Sequence, residues 1–239
     1  MIMIHSDNKG LVLPPKIAQT QFVIIPIVKT GDDSGAIKGK AEELAAQLRE
    51  AGMRVAVDSS DTHNPGYKFN EWEMRGVPVR IELGGQDMAK SEVKVVIGHS
   101  GQKFFSAWEG LAGSMAELLQ TIHGEMYAKA TAARDEHLKN VSNWDEFMSA
   151  LNNRDICLAD WCDQKSCEER IKDQSKEESM AAMESMNEDE ALLTGSAKTL
   201  CIPFRMGRQA SGQENPFEGV KCFFCDKPAT VTALWGRSY

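Results

Sequence analysis

The sequence predicts an α/β protein with a smaller α+β, cysteine-bearing unit toward its C-terminal end. Three observations predict it. A near-continuous apolar run, Gln21–Val28, reads as a strand covered on both faces. Ile37, Ala41, Leu44 and Leu48 then recur at helical spacing up to Gly52, and Met53–Val57 follows as a second strand. A strand–helix–strand unit of this length favours a parallel pair with a right-handed crossover. All six cysteines fall after residue 156, among shorter strand and helix signals.

The most informative stretch is the next one. Asn64-Pro65-Gly66 is a turn signal, because proline fixes φ and glycine accepts positive φ. Phe69 and Trp72 stand at helical spacing, and Gly76 sits where a helix would stop. Val77, Val79, Ile81 and Leu83 alternate with Pro78, Arg80 and Glu82, giving a strand with two unlike faces. Glu73, Arg80 and Asp87 thread ion-forming groups through this unit. A carboxylate can accept from the N1–H and N2–H₂ edge of guanine, and an arginine can donate to its O6 and N7. Spacing alone fits a solvated charged face with one surface ion pair at least as well.

Beyond it, Glu92–Ile97 reads as a strand, Gly98–Gly101 as a turn with a solvated His99, and Gln102–Phe105 as a short returning strand. Leu111, Met115, Leu118, Leu119, Ile122 and Met126 mark a helix expected to run toward Lys139. Asn143 is placed to cap a short helix bearing Trp144, Phe147, Met148 and Leu151, and Asp155–Trp161 is a strand. The segment 172–190 is rich in Glu, Ser and Met without sustained periodicity, so a mobile loop, with a frayed helix as the alternative, is expected there. Lys198–Phe204 reads as a strand and 205–219 as a loop.

Composition excludes some classes. With 42% hydrophobic and 26% charged residues the chain is globular rather than disordered. Its longest apolar run, Phe22–Val28, is broken by Pro26 and too short to span a bilayer. No basic-then-apolar leader is present, so a cytoplasmic protein that does not engage membranes is expected. Gly31 and Gly35 lack the spacing of a P-loop or dinucleotide fold, and no catalytic triad is evident. The net charge of −8 is concentrated in 163–190, with ten acidic against four basic residues, so it leaves room for a local basic surface elsewhere. Met1 directly before Ile-Met-Ile reads as a cut from a longer chain.

The cysteines form two local pairs, Cys162-x₄-Cys167 and Cys222-x₂-Cys225. Four thiolates so arranged suit tetrahedral Zn²⁺, and a closed Cys₄ set makes a structural rather than a catalytic site. Six unligated thiols remain an alternative. Cys157 and Cys201, in apolar strands, read as small buried hydrophobes.

The run Pro-Gly-Tyr-Lys-Phe-Asn-Glu-Trp-Glu-Met-Arg-Gly-Val-Pro-Val-Arg-Ile-Glu-Leu-Gly at 65–84, with Asp87, resembles the anticodon-binding domain of prolyl-tRNA synthetases of the archaeal and eukaryotic type. His5–Pro15 resembles the segment leaving that family's catalytic domain, and Gly236–Tyr239 resembles its C-terminus. Cys-x₄-Cys-Glu at 162–168, Leu200–Phe204 and the run ending at Ala229 resemble its zinc-binding domain. The resemblance implies a class IIa anticodon-binding domain, a mixed sheet flanked by helices, followed by a smaller α+β zinc-binding domain. It implies an exit segment at 1–19, the anticodon-binding domain at 20–125, and a linker helix with the zinc domain at 126–239. Glu73, Arg80 and Asp87 match the family's anticodon readers, with Phe69 and Lys68 as weaker candidates for stacking and phosphate contact. Cys162, Cys167, Cys222 and Cys225 match its metal ligands. The implied partners are tRNA(Pro) and the enzyme's own catalytic domain, whose dimer this chain would flank. ATP and Mg²⁺ would belong to that domain, so no aminoacylation is expected from this chain alone. Tyr239 is expected to dock on the catalytic domain. A free-standing accessory module and a zinc-stabilised protein-interaction module are the competing readings. Gly85 and Gln86 depart from the family's usual proline and basic residue, which implies a looser loop.

Overall fold

The structure, a computed structural model, describes residues 6, 8, 10–184 and 195–237. It divides into two compact units between Lys129 and Ala130.

The first unit is built on a five-stranded mixed sheet with strand order β2-β1-β3-β4-β5. Its strands are β1 (Phe22–Ile27), β2 (Val55–Val57), β3 (Val79–Gly84), β4 (Glu92–Ile97) and β5 (Lys103–Ala107). The β1 strand lies parallel to β2 and β3, while β3–β4 and β4–β5 are antiparallel. Helix α1 (Ser34–Glu50) supplies the crossover; the Asp33 carboxylate accepts from the Ala36 N–H at its start, and Gly52 takes φ +83° at its end. Its stripe Ile37, Ala41, Leu44, Ala45 and Leu48 joins Phe22, Ile24, Ile81, Leu83 and Val95 in the core. Helix α2 (Pro65–Met74) starts as the turn signal predicts, with Asn64 accepting from the Tyr67 N–H and proline in the first turn.

Two details differ from expectation. A six-residue helix, α3 (Gly85–Lys90), occupies the place of the looser loop. There the Asp87 carboxylate accepts from the Gly84 N–H at 2.8 Å, closing the turn. Helix α4 (Leu111–Glu136) stops before Lys139, because residues 138–141 are drawn into a strand of the second sheet.

The second unit has a four-stranded sheet in the order β6-β7-β9-β8. Its strands are β6 (Leu138–Val141), β7 (Ile156–Trp161), β8 (Ala197–Cys201) and β9 (Val231–Arg237). β6 is parallel to β7, and β9 pairs antiparallel with β7 and β8. Helix α5 (Trp144–Asn152), capped by Asn143, packs Phe147 against Phe223 and Trp235.

The acidic segment is corrected by the structure. Residues 172–184 belong to a 20-residue helix, α6 (Lys165–Glu184), not to a loop; residues 185–194 lie outside the described ones. Its buried seam is Cys167, Ile171, Ser175 and Ser179, one residue per i+4 step. The Ser175 hydroxyl accepts from the Ala197 N–H at 2.9 Å, stitching the helix to β8. Cys201, expected buried, is exposed, whereas Cys157 is fully buried. Tyr239 lies outside the described residues.

Replacing Ser175 with Ala leaves the Ala197 N–H buried without its acceptor. A loss of about 1–3 kcal/mol is expected, read as a lowered denaturant midpoint at unchanged m-value.

Candidate nucleic-acid interface and metal centre

A cleft of about 330 Å³ lies at the start of β3 in the first unit. Its floor is one row across the sheet: Val23, Arg80, Val96 and Lys103 are successive cross-strand partners. Trp72 and Glu73 of α2 form one wall, and the β4–β5 turn, Gly98–Gly101, forms the other. Gly10, Leu11 and Val12 complete the rim. This rim packs closely: a Cβ on Gly10 would stand 2.8 Å from the Glu73 carbonyl oxygen, and one on Gly76 would meet Leu11 and Leu13. Gly76 also takes φ +75°, so the α2 stop and the contact with 11–13 both require glycine.

The structure brings Arg80, Glu73 and Phe69 together. The Arg80 guanidinium donates through Nη1 to Glu73 at 2.6 Å and through Nε to Glu82 at 3.1 Å. It also lies over the Phe69 ring, 4.2 Å from the centroid. Arg80 is 11% exposed at its side chain, whereas Glu73 is 47% exposed. Glu73 therefore offers its second carboxylate oxygen outward while Arg80 holds the first. A purine edge taking both oxygens must open or share this pair.

Asp87 is not part of the cleft lining. It stands beyond the far end of β3, whose Gly84 lies about 13 Å along the strand from Arg80. The three ionic groups thus occupy two ends of one strand instead of a single mould.

Lys68 is the clear correction. It is 5% exposed, and its ammonium donates to the carbonyls of Asp58 and Ser60 and pairs with the Asp58 carboxylate at 3.2 Å. Saturated and buried, it is unavailable to a phosphate; it ties the β2–α2 loop. Asp58 also accepts from the Trp72 indole at 2.9 Å. Burial alone would raise the Asp58 pKa, but the Trp72 and Lys68 contacts hold it below the ordinary carboxylate value.

Sequence reasoning missed two cleft groups. Lys103 lies on the floor, exposed and without an ion pair among the described residues; only the β4–β5 register reveals it. His99, expected to be solvated, is 14% exposed at its side chain, and its Nε2 lies 2.8 Å from Glu125 of α4.

In the second unit, Cys162, Cys167, Cys222 and Cys225 converge, with all four sulfurs within 4.8 Å of one another. Cys162 follows β7, Cys167 lies in the first turn of α6, and the other two lie in the turn before β9. That turn is anchored by Phe223 N–H to Asp160 O at 3.0 Å and Thr230 N–H to Trp161 O at 2.8 Å. The Sγ separations of 3.6 Å (Cys162–Cys225) and 4.0 Å (Cys167–Cys222) bracket the roughly 3.8 Å edge of a tetrahedron with 2.3 Å metal–sulfur bonds. Burial pushes the thiols of Cys162 and Cys167 upward. For Cys225 burial acts the same way, but the Lys227 N–H and the neighbouring thiols bring it below its usual value. Four sulfurs packed this way could hold a metal ion, and a cation there would offset the cost of ionising them. Cys157 stands apart, its thiol pushed up to about 12 by burial and Asp155.

A βαβ-based mixed sheet with a Glu–Arg cleft, followed by a four-cysteine domain, defines a two-part anticodon-binding protein. Residues 21–122 match the family model described as "Anticodon binding domain", and residues 144–239 match "Prolyl-tRNA synthetase, C-terminal". The chain belongs to the prolyl-tRNA synthetase family and carries that family's anticodon-binding and C-terminal domains. It is 39% identical to a proline–tRNA ligase of Encephalitozoon cuniculi, over 99% of this chain and 45% of the relative. It is likewise 39% identical to the cytoplasmic proline–tRNA ligase of Arabidopsis thaliana, over 100% of this chain and 41% of the relative. A crystal structure of Cryptosporidium parvum prolyl-tRNA synthetase with L-proline and AMP superposes with TM-score 0.80 at 35% identity, over 100% of this chain and 45% of that one. The chain thus spans less than half the length of these relatives. Among the described residues, no helix is long and apolar enough to cross a membrane.

Asp58→Asn is expected to weaken folding at neutral pH. Because the folded-state pKa of Asp58 is depressed, its contribution is present above the unfolded-state value of about 4 and lost as pH falls through the folded value. The variant should therefore lose less stability than the wild type on acidification, as read by urea melts between pH 7 and pH 3.

Proposed function

We propose that this chain is the tRNA(Pro)-recognising portion of a cytoplasmic proline–tRNA ligase, with ATP-dependent, Mg²⁺-assisted prolylation performed by a catalytic domain elsewhere in the longer enzyme. The observation that carries the reading is the Glu73–Arg80 pair at the mouth of a cleft within a domain of the anticodon-binding family. Proline anticodons share two guanines. Glu73 accepts from the N1–H and N2–H₂ edge of one, and Arg80, released from Glu73, donates to O6 or N7. Asp87, at the other end of β3, keeps an oxygen for the second base, and Phe69 shapes the cleft by holding the Arg80 plane. Lys103 supplies the cationic contact that Lys68 does not. The partner in the whole enzyme is the catalytic domain, whose dimer this portion flanks.

The metal of the second unit is zinc, held by Cys162, Cys167, Cys222 and Cys225 as a closed structural site. When bound, it supplies the positive charge that stabilises four thiolates and crosslinks three chain segments.

Glu73→Ala should weaken binding of an anticodon stem-loop bearing UGG by about 5- to 150-fold, from the ~1–3 kcal/mol of a paired base contact. Its thermal melt should stay unchanged, since Glu73 is half exposed. Unaltered affinity in an anisotropy titration would sink the assignment. Cys222→Ser should lower zinc content well below one ion per chain and unfold the second unit at lower temperature, metal binding being worth roughly 10–16 kcal/mol in peptide sites. Purified wild-type protein lacking stoichiometric zinc would rule the ion out.

A further inference from the structure

One sheet face carries the cleft, and its strands continue beyond it. Val23, Arg80, Val96 and Lys103 form the cleft floor, so the next row on the same face is Ile25, Glu82, Lys94 and Phe105. The Glu82–Lys94 ion pair at 3.0 Å agrees with that assignment. The opposite face, with Ile24, Ile81 and Val95, is the buried core. Helix α2 covers β1. The β5 end of the second row is open: Phe105 is 56% exposed. An exposed aromatic ring therefore stands on the outermost strand, two residues from Lys103, which has no ion pair among the described residues, and beside Lys94. It also lies on the Asp87-ward side of Arg80.

We propose that Phe105 is a stacking platform for the base that neighbours the guanine pair, extending the nucleic-acid surface from the cleft across β5. The inference rests on the anticodon-binding reading. An aromatic face accepts any base, and cations on the same face track the backbone, so the combination suits a single-stranded loop. Continuity with the cleft favours RNA over the other occupant an edge strand invites, a second copy of this chain paired along β5.

The test uses the whole chain and a fluorescent stem-loop with a UGG anticodon, intact or abasic at either neighbour of the guanine pair. Stacking is worth ~1–3 kcal/mol by alanine substitution, about 5- to 150-fold in affinity. Phe105→Ala and Phe105→Leu should weaken binding within that range, while Phe105→Trp stays within about twofold. One abasic RNA should bind the wild type as weakly as the intact RNA binds Phe105→Ala, with no further loss when both changes are combined. Wild-type affinity in Phe105→Ala or Phe105→Leu, while Glu73→Ala has lost binding, overturns the proposal and leaves the anticodon reading intact. So does additive loss with both abasic RNAs, or a sedimenting dimer that Phe105→Ala dissolves. If Glu73→Ala also binds like the wild type, the anticodon reading itself has failed.

Discussion

One guanidinium organises the first unit's functional face. Arg80 sits on β3 with two carboxylates and an aromatic ring around it, and Glu82 beneath it is only 7% exposed at its side chain. A carboxylate so buried is tolerable because Arg80 and Lys94 both pair with it; stripping either partner would leave charge stranded in a poorly hydrated site. The ladder also fixes geometry. A planar donor held by Nε and Nη1 at once has little rotational freedom, so Glu73 receives a defined position from β3.

The mixed topology explains which groups gather and which do not. Because β4 runs antiparallel to β3, its end returns to the start of β3, where Val79 pairs with Ile97. Helix α2 enters β3 at that same end. Glu73, Arg80 and the β4–β5 turn with His99 and Lys103 therefore converge, while Asp87, reached only after β3 has run its length, is carried away. In the second unit a comparable convergence comes from sequence-distant thiols. The turn at 222–225 is already aligned by backbone bonds to Asp160 and Trp161, so two of the four sulfurs are placed before any ion is considered.

Much of this was legible in the residues, and the failures have physical causes. Strands β1, β3 and β4 and helices α1 and α2 carry apolar repeats or turn residues strong enough to read directly. Helix α6 is hidden because its buried seam ends in Ser175 and Ser179, hydroxyls that satisfy backbone groups rather than supply apolar area. Strand β9 is hidden because Gly236 and a buried Thr232, bonded to Asp160, interrupt the alternation. Lys68 escapes the sequence because a lysine is expected to reach solvent; here the loop at 58–60 turns carbonyls inward and captures it. Glu73 and Arg80 stood out from the resemblance, but their contact, and the presence of Lys103, needed the register.

On the proposed reading, an acidic chain that binds RNA is less paradoxical than its net charge implies. Phosphate neutralisation gives affinity that is indifferent to sequence, whereas base edges read by positioned side chains give discrimination. Across the cleft row, the row beside it and the α2 wall, Arg80 and Lys94 are offset by Glu73 and Glu82, which leaves Lys103 as the cation of this set without a carboxylate partner among the described residues. The internal ion pair also sets a threshold. On the proposed reading, opening Glu73 from Arg80 would have a cost that a base presenting both donors and acceptors returns, whereas a base lacking either would leave Arg80 with Glu82 as its remaining carboxylate partner. Selectivity would then follow from what the site loses with the wrong base, rather than from how strongly it attracts the right one.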